Sequence, residues 1–226
     1  MINVVCLYWG NKYKTEFVNV LYNMVQRHMT IPHKFIIYTD HVKMQKLVKG
    51  DNVEVRKLPF HDYTGWWNKL TLFSPEAKLE GDCLYFDLDV VITENIDCFA
   101  TYEPNLQFIG MNDFNRHTGL FNSSIMRFNN KFMTDNVWKP YLNDKGRFMK
   151  LQGDQNAMSK LVMNSPHKKV MPDEWTYSYK WHSRQNPRFG KGDWKFEKKE
   201  KASVAVFHGR PWPHESEQQW VKTAWN

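Results

Sequence analysis

The chain has 226 residues, 42% of them hydrophobic, and no linker or low-complexity tract divides it, which predicts a single domain around one substantial core. Its apolar runs fall short of the ~18 residues that cross a bilayer, and its three cysteines, an odd number without metal-type spacing, exclude a disulfide scaffold. The formal charge of +7 favours anionic partners such as nucleotides, nucleic acid or acidic lipid.

The first residues and the cysteines indicate the compartment. Residues 1–10, MINVVCLYWG, lack the basic beginning and the long apolar stretch of a signal peptide. Cys6 and Cys83 lie in predicted buried strands, where we expect reduced thiols without a chemical role. We therefore expect a cytoplasmic protein with no transmembrane segment.

Strand and helix patterns alternate from the first residues onward. INVVCLY at 2–8 is a β-branched, apolar run before Gly10 and predicts a first strand. Apolar residues at spacings of three and four then predict a helix; they are Phe17, Val20, Leu21, Met24 and Val25. The runs at 34–40 and 53–59 predict two further strands.

The alternation continues through residue 92. WWNKLTLF at 66–73 predicts the start of a helix that Pro75 ends, and CLYFDLDVVI at 83–92 predicts a fourth strand. Such alternation indicates an α/β domain with parallel strands and helices on both faces. In these sheets, ligands bind beyond the carboxyl ends of the strands.

Two aspartates interrupt the fourth predicted strand. Side chains two residues apart on a strand point to the same side, so Asp87 and Asp89 would sit together. Two carboxylates that close, in a partly desolvated place, need a shared proton, a cationic side chain or a metal ion. The strand by itself leaves all three options open.

The second half of the chain has less regular patterns. Residues 107–113 and 120–128 predict strands, 153–162 a helix, and 204–209 a late strand. The tail ESEQQWVKTAW predicts a final helix. The segment from Lys168 to Lys201 is rich in aromatic and basic residues and has no assignable pattern.

Four motifs occur in this framework in a familiar order. They are Asp-x-Asp at 87–89, FNSS at 121–124, GDQN at 153–156 and a late FHGRPWPHE. Together they resemble nucleotide-sugar-dependent glycosyltransferases of the GT-A fold, and most of all the retaining family-8 enzymes, the glycogenin and bacterial galactosyltransferase group. An isolated Asp-x-Asp arises often by chance, whereas four motifs in order are much more specific. The resemblance covers nearly the whole chain.

The resemblance implies the fold and the reaction. The fold would be a Rossmann-like mixed sheet flanked by helices in a single domain, with a nucleotide-binding half at 1–92 and a sugar and acceptor half at 93–226 that ends in a helix. The enzyme would be a hexosyltransferase that moves a hexose from a nucleoside-diphosphate sugar, a UDP-sugar, to an acceptor hydroxyl with retention. Two rival classes are a nucleotidyltransferase and a non-catalytic nucleotide-sugar-binding module.

The resemblance also implies a metal centre. Asp87 and Asp89 would hold a divalent ion, Mn²⁺ or Mg²⁺, that bridges the donor diphosphate, and His208 would complete the metal shell. Imidazole beside carboxylate suits manganese better than magnesium. The structural alternative is that Lys69 or Arg210 neutralises the two carboxylates.

Residues at the ends of the first two predicted strands would bind the nucleoside of the donor. Tyr8 and Trp9 lie at the end of strand one and Asp40 at the end of strand two, where the family binds base and ribose by stacking and hydrogen bonds. The alternative for Tyr8 is a core aromatic residue. Trp66 and Trp67 would either stack on sugar or cover the sheet.

Basic residues would contact the diphosphate end of the donor. Lys69 lies where family members carry a basic residue that touches the donor. Gly209 and Arg210 match a loop that closes over the diphosphate, because guanidinium grips phosphate oxygens in two places. The family's longer His-x-x-Gly-x-x-Lys spacing is replaced here by HGR before Pro211, which leaves the role of Arg210 open.

The transferred sugar would lie between the two remaining motifs. FNSS resembles a Phe-Asn-Ser-Gly segment, so Asn122 and Ser123 would bond sugar hydroxyls. GDQN matches an Asp-Gln pair on the far side of the sugar, so Asp154 and Gln155 would complete the catalytic set with Asn122. Asp154 is also an expected N-cap of the following helix. No residue is an obvious general base, which fits retention.

The acceptor stays open at this stage. A glycan or a glycolipid is one class, with peripheral contact to an anionic surface through the segment near Trp175–Arg188. A hydroxylated or hydroxymethylated base in DNA is the alternative, since net positive charge favours phosphates and a duplex base would have to be flipped out.

Overall fold

The computed structural model describes residues 1–41, 43, 48–180 and 202–226. The strands of this part are β1 (Ile2–Tyr8), β2 (His33–Thr39), β3 (Val53–Lys57), β4 (Asp82–Phe86), β5 (Val90–Ile92), β6 (Phe108–Asn112), β7 (Phe121–Asn129), β8 (Lys168–Val170), β9 (Thr176–Ser178) and β10 (Val204–Val206). The helices are α1 (Glu16–His28), α2 (Asn68–Thr71), α3 (Asp97–Thr101), α4 (Asn130–Met133), α5 (Lys139–Asn143), α6 (Lys145–Phe148), α7 (Asp154–Val162) and α8 (Gln219–Ala224). A π-helical turn, Thr134–Trp138, joins α4 to α5.

The strands form two sheets. Seven make a mixed sheet in the order β3-β2-β1-β4-β7-β6-β8, and three make a smaller sheet in the order β5-β10-β9. In the larger sheet β1, β2, β3 and β4 run parallel, β7 runs opposite to β4 and β6, and β8 is parallel to β6. The prediction of an α/β domain with a mixed, helix-flanked sheet is confirmed.

The predicted fourth strand, 83–92, is wrong as a single element. β4 pairs with β1 and β7 in the large sheet, whereas β5 pairs with β10 in the small one. Asp87, Leu88 and Asp89 form the turn between the two sheets. The two carboxylates therefore meet at a turn and do not share one face of a strand. The apolar run hides this turn because residues on both sides of it are buried.

Other predicted elements are confirmed with small shifts at their ends. The late strand is shorter than 204–209, and the final helix is shorter than the tail motif. The segment 168–201, which had no assignable pattern, contains β8 and β9. Its residues 181–201 lie outside the described residues, and they include most of the aromatic and basic stretch after Trp175. The short helices α3 to α6 had no predicted counterpart, because segments of four or five residues carry too little periodicity.

The large sheet separates two hydrophobic layers. Alternate residues of β1, Val4 and Cys6, pack with α1 and the small sheet, whereas Val5 and Leu7 pack with α2 and the helices α4 to α7. Cys6 and Cys83 are buried free thiols, as expected. Both layers stop at the carboxyl ends of the central strands, which leaves that edge to polar residues.

Within 1–41, 43, 48–180 and 202–226, no helix combines the length and the apolar character that spanning a bilayer requires.

Truncation of the α1 face tests the first layer. Leu21 is fully buried between α1 and the sheet. We expect Leu21→Ala to lower the free energy of unfolding by about 2–5 kcal/mol, the cost of lost burial plus a cavity. Leu142→Ala, at a residue that is 46% exposed, is the control and should stay within about 0.5 kcal/mol. Urea denaturation measures both, and equal small losses would contradict the layer assignment.

Candidate active site

A cavity of about 370 Å³ opens beyond the carboxyl ends of β1 and β4. Side chains reach it from the β1–α1 loop, from α2, from the turn between the sheets, from β7, from the start of α7 and from the end of β10. Most predicted site residues line it: Trp9, Lys69, Asp87, Asp89, Asn122, Ser123, Asp154, Gln155, His208 and Gly209. Residues far apart in sequence thus surround one space, while their individual roles stay predictions.

Three predicted site residues do not line this cavity. Tyr8 is 3% exposed and its ring stacks on His41, with 4.5 Å between ring centroids. The Asp40 carboxylate accepts a hydrogen bond from the Gly10 amide and borders a second cavity, of about 340 Å³. The Arg210 side chain is 74% exposed, and its guanidinium lies over the Trp212 ring.

Lys69 is the cation at the centre of the site. Its Nζ lies 2.9 Å from Asp87 Oδ1 and 3.6 Å from Asp154 Oδ2, and it donates hydrogen bonds to the carbonyl and hydroxyl oxygens of Ser123. Burial opposes its charge, but the two carboxylates outweigh burial and hold the pKa of Lys69 above its ordinary value. Lys69 therefore neutralises Asp87. This is the role that Lys69 would have if a cationic side chain, and not a metal ion, compensated the carboxylates.

Asp87 and Asp89 differ in their partners. Burial raises the pKa of Asp87, but Lys69 and the Tyr85 hydroxyl outweigh it, so the net shift is downward. Asp89 Oδ2 accepts hydrogen bonds of 2.9 Å from the Tyr13 hydroxyl and from the Gly209 amide. Burial, and then the charge of Asp87, raise the pKa of Asp89. Among the described residues, no cation forms an ion pair with Asp89.

The FNSS and GDQN motifs are joined by hydrogen bonds. The Ser123 hydroxyl donates to Asp154 Oδ2 at 2.9 Å, and the Ser123 amide donates to Gln155 Oε1 at 3.3 Å. The Gln155 amide group donates to Asp113 Oδ2 at 3.0 Å. Burial raises the pKa of Asp154 despite the nearby Lys69. These contacts fix the start of α7 against β7.

The predicted N-cap role of Asp154 is wrong. The N-cap of α7 is Gly153, and Asp154 is the first helical residue, without a side-chain cap. Its carboxylate turns to Ser123 and Lys69 because these groups offer it stronger partners than the helix amides.

His208 is half-buried just beyond the end of β10, and its imidazole is uncharged. Burial, and then the charge of Lys180, lower its pKa to about 4. Its Nε2 is buried and has no hydrogen-bond partner among the described residues. The residue has a φ of +53°, a left-handed conformation that costs a non-glycine residue about 1 kcal/mol. An uncharged nitrogen without a partner fits a metal ligand.

In the structure, the side chains of Asp87, Asp89 and His208 are not grouped closely enough to coordinate one metal ion together. Within the described part of the chain, no three His, Cys, Asp or Glu side chains are grouped so that they could hold a metal ion. The chemistry of the set nevertheless fits Mn²⁺, because it combines two hard carboxylates with an uncharged imidazole. The metal role of these three residues therefore stays a prediction.

The structure adds residues that the motifs missed. Lys12 and Tyr13 line the cavity, and Ser124 lies beside Asp87. Trp66, one of the two tryptophans that would stack on sugar or cover the sheet, also lines the cavity. Tyr13 lies in GNKYK, the segment that follows the first strand. This position at the carboxyl edge of the sheet could have identified it as a site residue. Trp67, in contrast, is only 9% exposed and packs in the core against Tyr141.

Removing the buried cation tests the charge network. We expect Lys69→Met to lower the free energy of unfolding by about 2–3 kcal/mol, less than for a fully enclosed pair because Asp87 faces the cavity. Burial then raises the folded-state pKa of the unpaired carboxyls above the unfolded value, so they stabilise the fold at low pH and lose that contribution as pH rises. The loss should be smaller at about pH 5 than at about pH 8.

Urea denaturation in EDTA at both pH values measures this difference. Adding Asp154→Asn to Lys69→Met should recover part of the loss, because one of the unpaired charges is gone. The control is Lys139→Met, which removes an exposed ion pair with Asp135 and should change stability by about 1 kcal/mol or less. A loss independent of pH would argue against charge as its cause.

Known proteins share the fold of this chain at low sequence identity. No protein-family model and no curated protein sequence matches it. Among solved structures, galactosyltransferase LgtC in complex with donor and acceptor sugar analogues matches with a TM-score of 0.66 at 10% identity, over 99% of this chain and 92% of that one. Glycosyltransferase GlyE of Streptococcus pneumoniae TIGR4 gives 0.73 at 14%, over 100% of this chain and 60% of GlyE.

A mammalian structure extends the similarity. Mouse xyloside xylosyltransferase 1 matches with a TM-score of 0.61 at 13% identity, over 92% of this chain and 97% of the mouse protein. Identities this low carry the fold and nothing finer. The chain has the GT-A fold of nucleotide-sugar glycosyltransferases, as its motifs predicted.

Proposed function

We propose that this chain is a metal-dependent glycosyltransferase that moves a hexose from a UDP-sugar to an acceptor hydroxyl. One observation carries the proposal: carboxylates, an uncharged imidazole and neutral amide and hydroxyl groups surround a single cavity at the carboxyl edge of a GT-A sheet. A cavity that combines charged groups with neutral hydrogen-bonding groups suits a ligand that carries both a diphosphate and a sugar.

Asp87, Asp89 and His208 would hold the diphosphate through a divalent ion. Asp89 lacks a cationic partner among the described residues, and His208 has a buried nitrogen without a hydrogen bond. A divalent ion bound by Asp87, Asp89 and His208 would neutralise the carboxylates and attract the phosphates. The Tyr13 hydroxyl would exchange its bond to Asp89 for another partner.

The neutral side chains of the cavity would hold the sugar. Asn122 and Gln155 offer amide groups and Ser123 a hydroxyl, which bond sugar hydroxyls without adding charge. Lys69 fixes Ser123 and Asp154, so these groups are oriented before the donor arrives. Such preorganisation lowers the cost of binding the reacting geometry.

Retention of the anomeric configuration is supported by the partners of the nearby carboxylates, which leave no obvious general base. Asp113 is bonded to Gln155 and to Thr118, and Asp154 to Ser123 and Lys69. With both engaged, the leaving diphosphate would accept the acceptor proton from the same face of the sugar.

The rival classes lack comparable support. A nucleotidyltransferase would need a glycine-rich basic loop after β1, where GNKYK has one glycine. A non-catalytic binding module has no need for Asp89 and His208 together.

Free thiols at Cys6, Cys83 and Cys98 support the cytoplasm as the compartment.

Metal dependence is tested by binding of UDP. By titration calorimetry, we expect UDP to bind at least about tenfold more tightly with Mn²⁺ than in EDTA, a difference of about 1.4 kcal/mol or more. Asp89→Asn should abolish that difference and most release of UDP from a UDP-hexose, because an amide keeps the volume and loses the charge.

Circular dichroism checks that the Asp89→Asn variant is folded. Asp135→Asn, at the surface pair with Lys131 and Lys139, is the matched control and should behave as wild type. Equal UDP affinity with Mn²⁺ and with EDTA would refute the metal-dependent donor site.

The anomeric outcome tests the reaction class. Proton NMR of the product formed from an α-linked UDP-hexose should show an α linkage, since Asp113 and Asp154 are both engaged and the leaving diphosphate would act as the base. A β linkage would mean inversion and would make Asp154 the first base to test by Asp154→Asn.

A further inference from the structure

Trp66 is an exposed aromatic residue at the mouth of the cavity. It is 57% exposed and lines the cavity, whereas its neighbour Trp67 is 9% exposed and belongs to the core. Gly65 has a φ of +61°, in the left-handed region that favours glycine, and turns the chain immediately before Trp66. The paired tryptophans thus have separate places, one in the core and one at the ligand site.

The indole of Trp66 is seated against the start of α7. A Cβ atom added to Gly153 would lie 3.0 Å from Trp66 Nε1 and 3.2 Å from its Cδ1. Gly153 has a φ of 178°, which any residue adopts, so the backbone conformation does not require glycine here. The absence of a side chain instead lets the indole of Trp66 pack closely against the backbone. This approach places Trp66 beside Asp154 and Gln155, the two residues that follow Gly153.

Exposure at this position is unusual for so large an apolar group. A flat indole leaves water favourably when it contacts another apolar face, and its rim tolerates polar neighbours. Near it, Gln155 and Asn122 supply neutral hydrogen-bonding groups in the same cavity. A pyranose ring offers that combination, because one of its faces carries C–H groups while its edge carries hydroxyls.

We propose that Trp66 is the stacking platform for a pyranosyl acceptor, so that the acceptor is a glycan or a glycolipid glycan. This inference rests on the proposed transferase function and assigns its second substrate. The acceptor sugar would lie on Trp66, with its reacting hydroxyl directed toward the donor sugar between Asn122 and Gln155. Trp66 is therefore a specificity-determining residue.

The charges around the cavity disfavour DNA as the acceptor. A duplex needs several cations along its phosphates, and the lining of this cavity supplies Lys12 and Lys69 against three carboxylates. Lys69 is already bonded to Asp87 and Ser123. In the part of the chain that the structure describes, the mouth of the cavity thus offers no row of cations to a polyanion.

Acceptor binding is measured separately from donor chemistry. The probes are methyl α- and β-pyranosides of glucose, galactose and N-acetylglucosamine, observed by saturation-transfer NMR with UDP and diamagnetic Mg²⁺. We expect at least one to bind wild type, with saturation concentrated on the C–H groups of one ring face. Trp66→Ala should weaken that binding by at least about tenfold, as for other rings stacked on aromatic side chains.

Two further variants and a control sharpen the result. Trp66→Phe should restore part of the affinity, and Gly153→Ala should weaken binding by displacing the indole. Leu142→Ala removes a similarly exposed apolar side chain away from the cavity and should bind as wild type. Donor chemistry is followed as slow hydrolysis of UDP-glucose or UDP-galactose without acceptor in wild type and in Leu142→Ala, where the two rates should be equal.

The outcomes separate the two levels of inference. Failure of wild type to bind UDP or hydrolyse either UDP-sugar overturns the proposed function itself. Normal donor chemistry with pyranoside binding unchanged in Trp66→Ala overturns the platform. Normal donor chemistry with no pyranoside bound overturns the acceptor class, and transfer to a duplex containing 5-hydroxymethylcytosine would then replace it with DNA.

Discussion

The salt bridge of Lys69 with Asp87 and Asp154 is the interaction on which the site depends. Three carboxylates gather at the edge of two hydrophobic layers, where unpaired charge is costly. Lys69 offsets two of them and also fixes Ser123, so one ammonium group orders the sheet side and the helix side of the cavity. Asp89 is left to hydrogen bonds from Tyr13 and Gly209, which makes it the carboxylate with most to gain from an added cation.

The aromatic residues fall into two groups, those in the hydrophobic core and those that line the cavity. Tyr8 and Trp67 are packed inside, where they contribute burial. Tyr13 touches Asp89 and Trp66 faces the opening, so both present an aromatic ring with a polar neighbour to a ligand. The aromatic richness of the sequence thus has two causes, a large core and a lined cavity, which composition alone does not distinguish.

Most of the framework was predictable because it rests on local patterns. The strands β1, β2, β3, β6 and β7 and the helices α1 and α7 follow from periodicity, and the motifs put their residues at one cavity. The turn at Asp87–Asp89 was not predictable, since pairing of β5 with β10 links residues more than a hundred positions apart. Arg210 and Asp40 lie off the cavity for the same kind of reason: strand ends predict an edge of the sheet, whereas the direction of a side chain depends on its partners.

The turn between the two sheets has a consequence for how such a chain changes over generations. Its backbone joins the sheets, because the Asp87 amide bonds to the Ser124 carbonyl and the Phe207 amide to the Asp89 carbonyl. The carboxylates of Asp87 and Asp89, in contrast, line the cavity. An insertion or deletion in the turn would disturb both sheet contacts, whereas a replacement of Asp89, which has no ion-pair partner among the described residues, would change the chemistry and keep the backbone joint. A lineage could therefore exchange one reaction for another, or lose activity altogether, and still inherit the same scaffold.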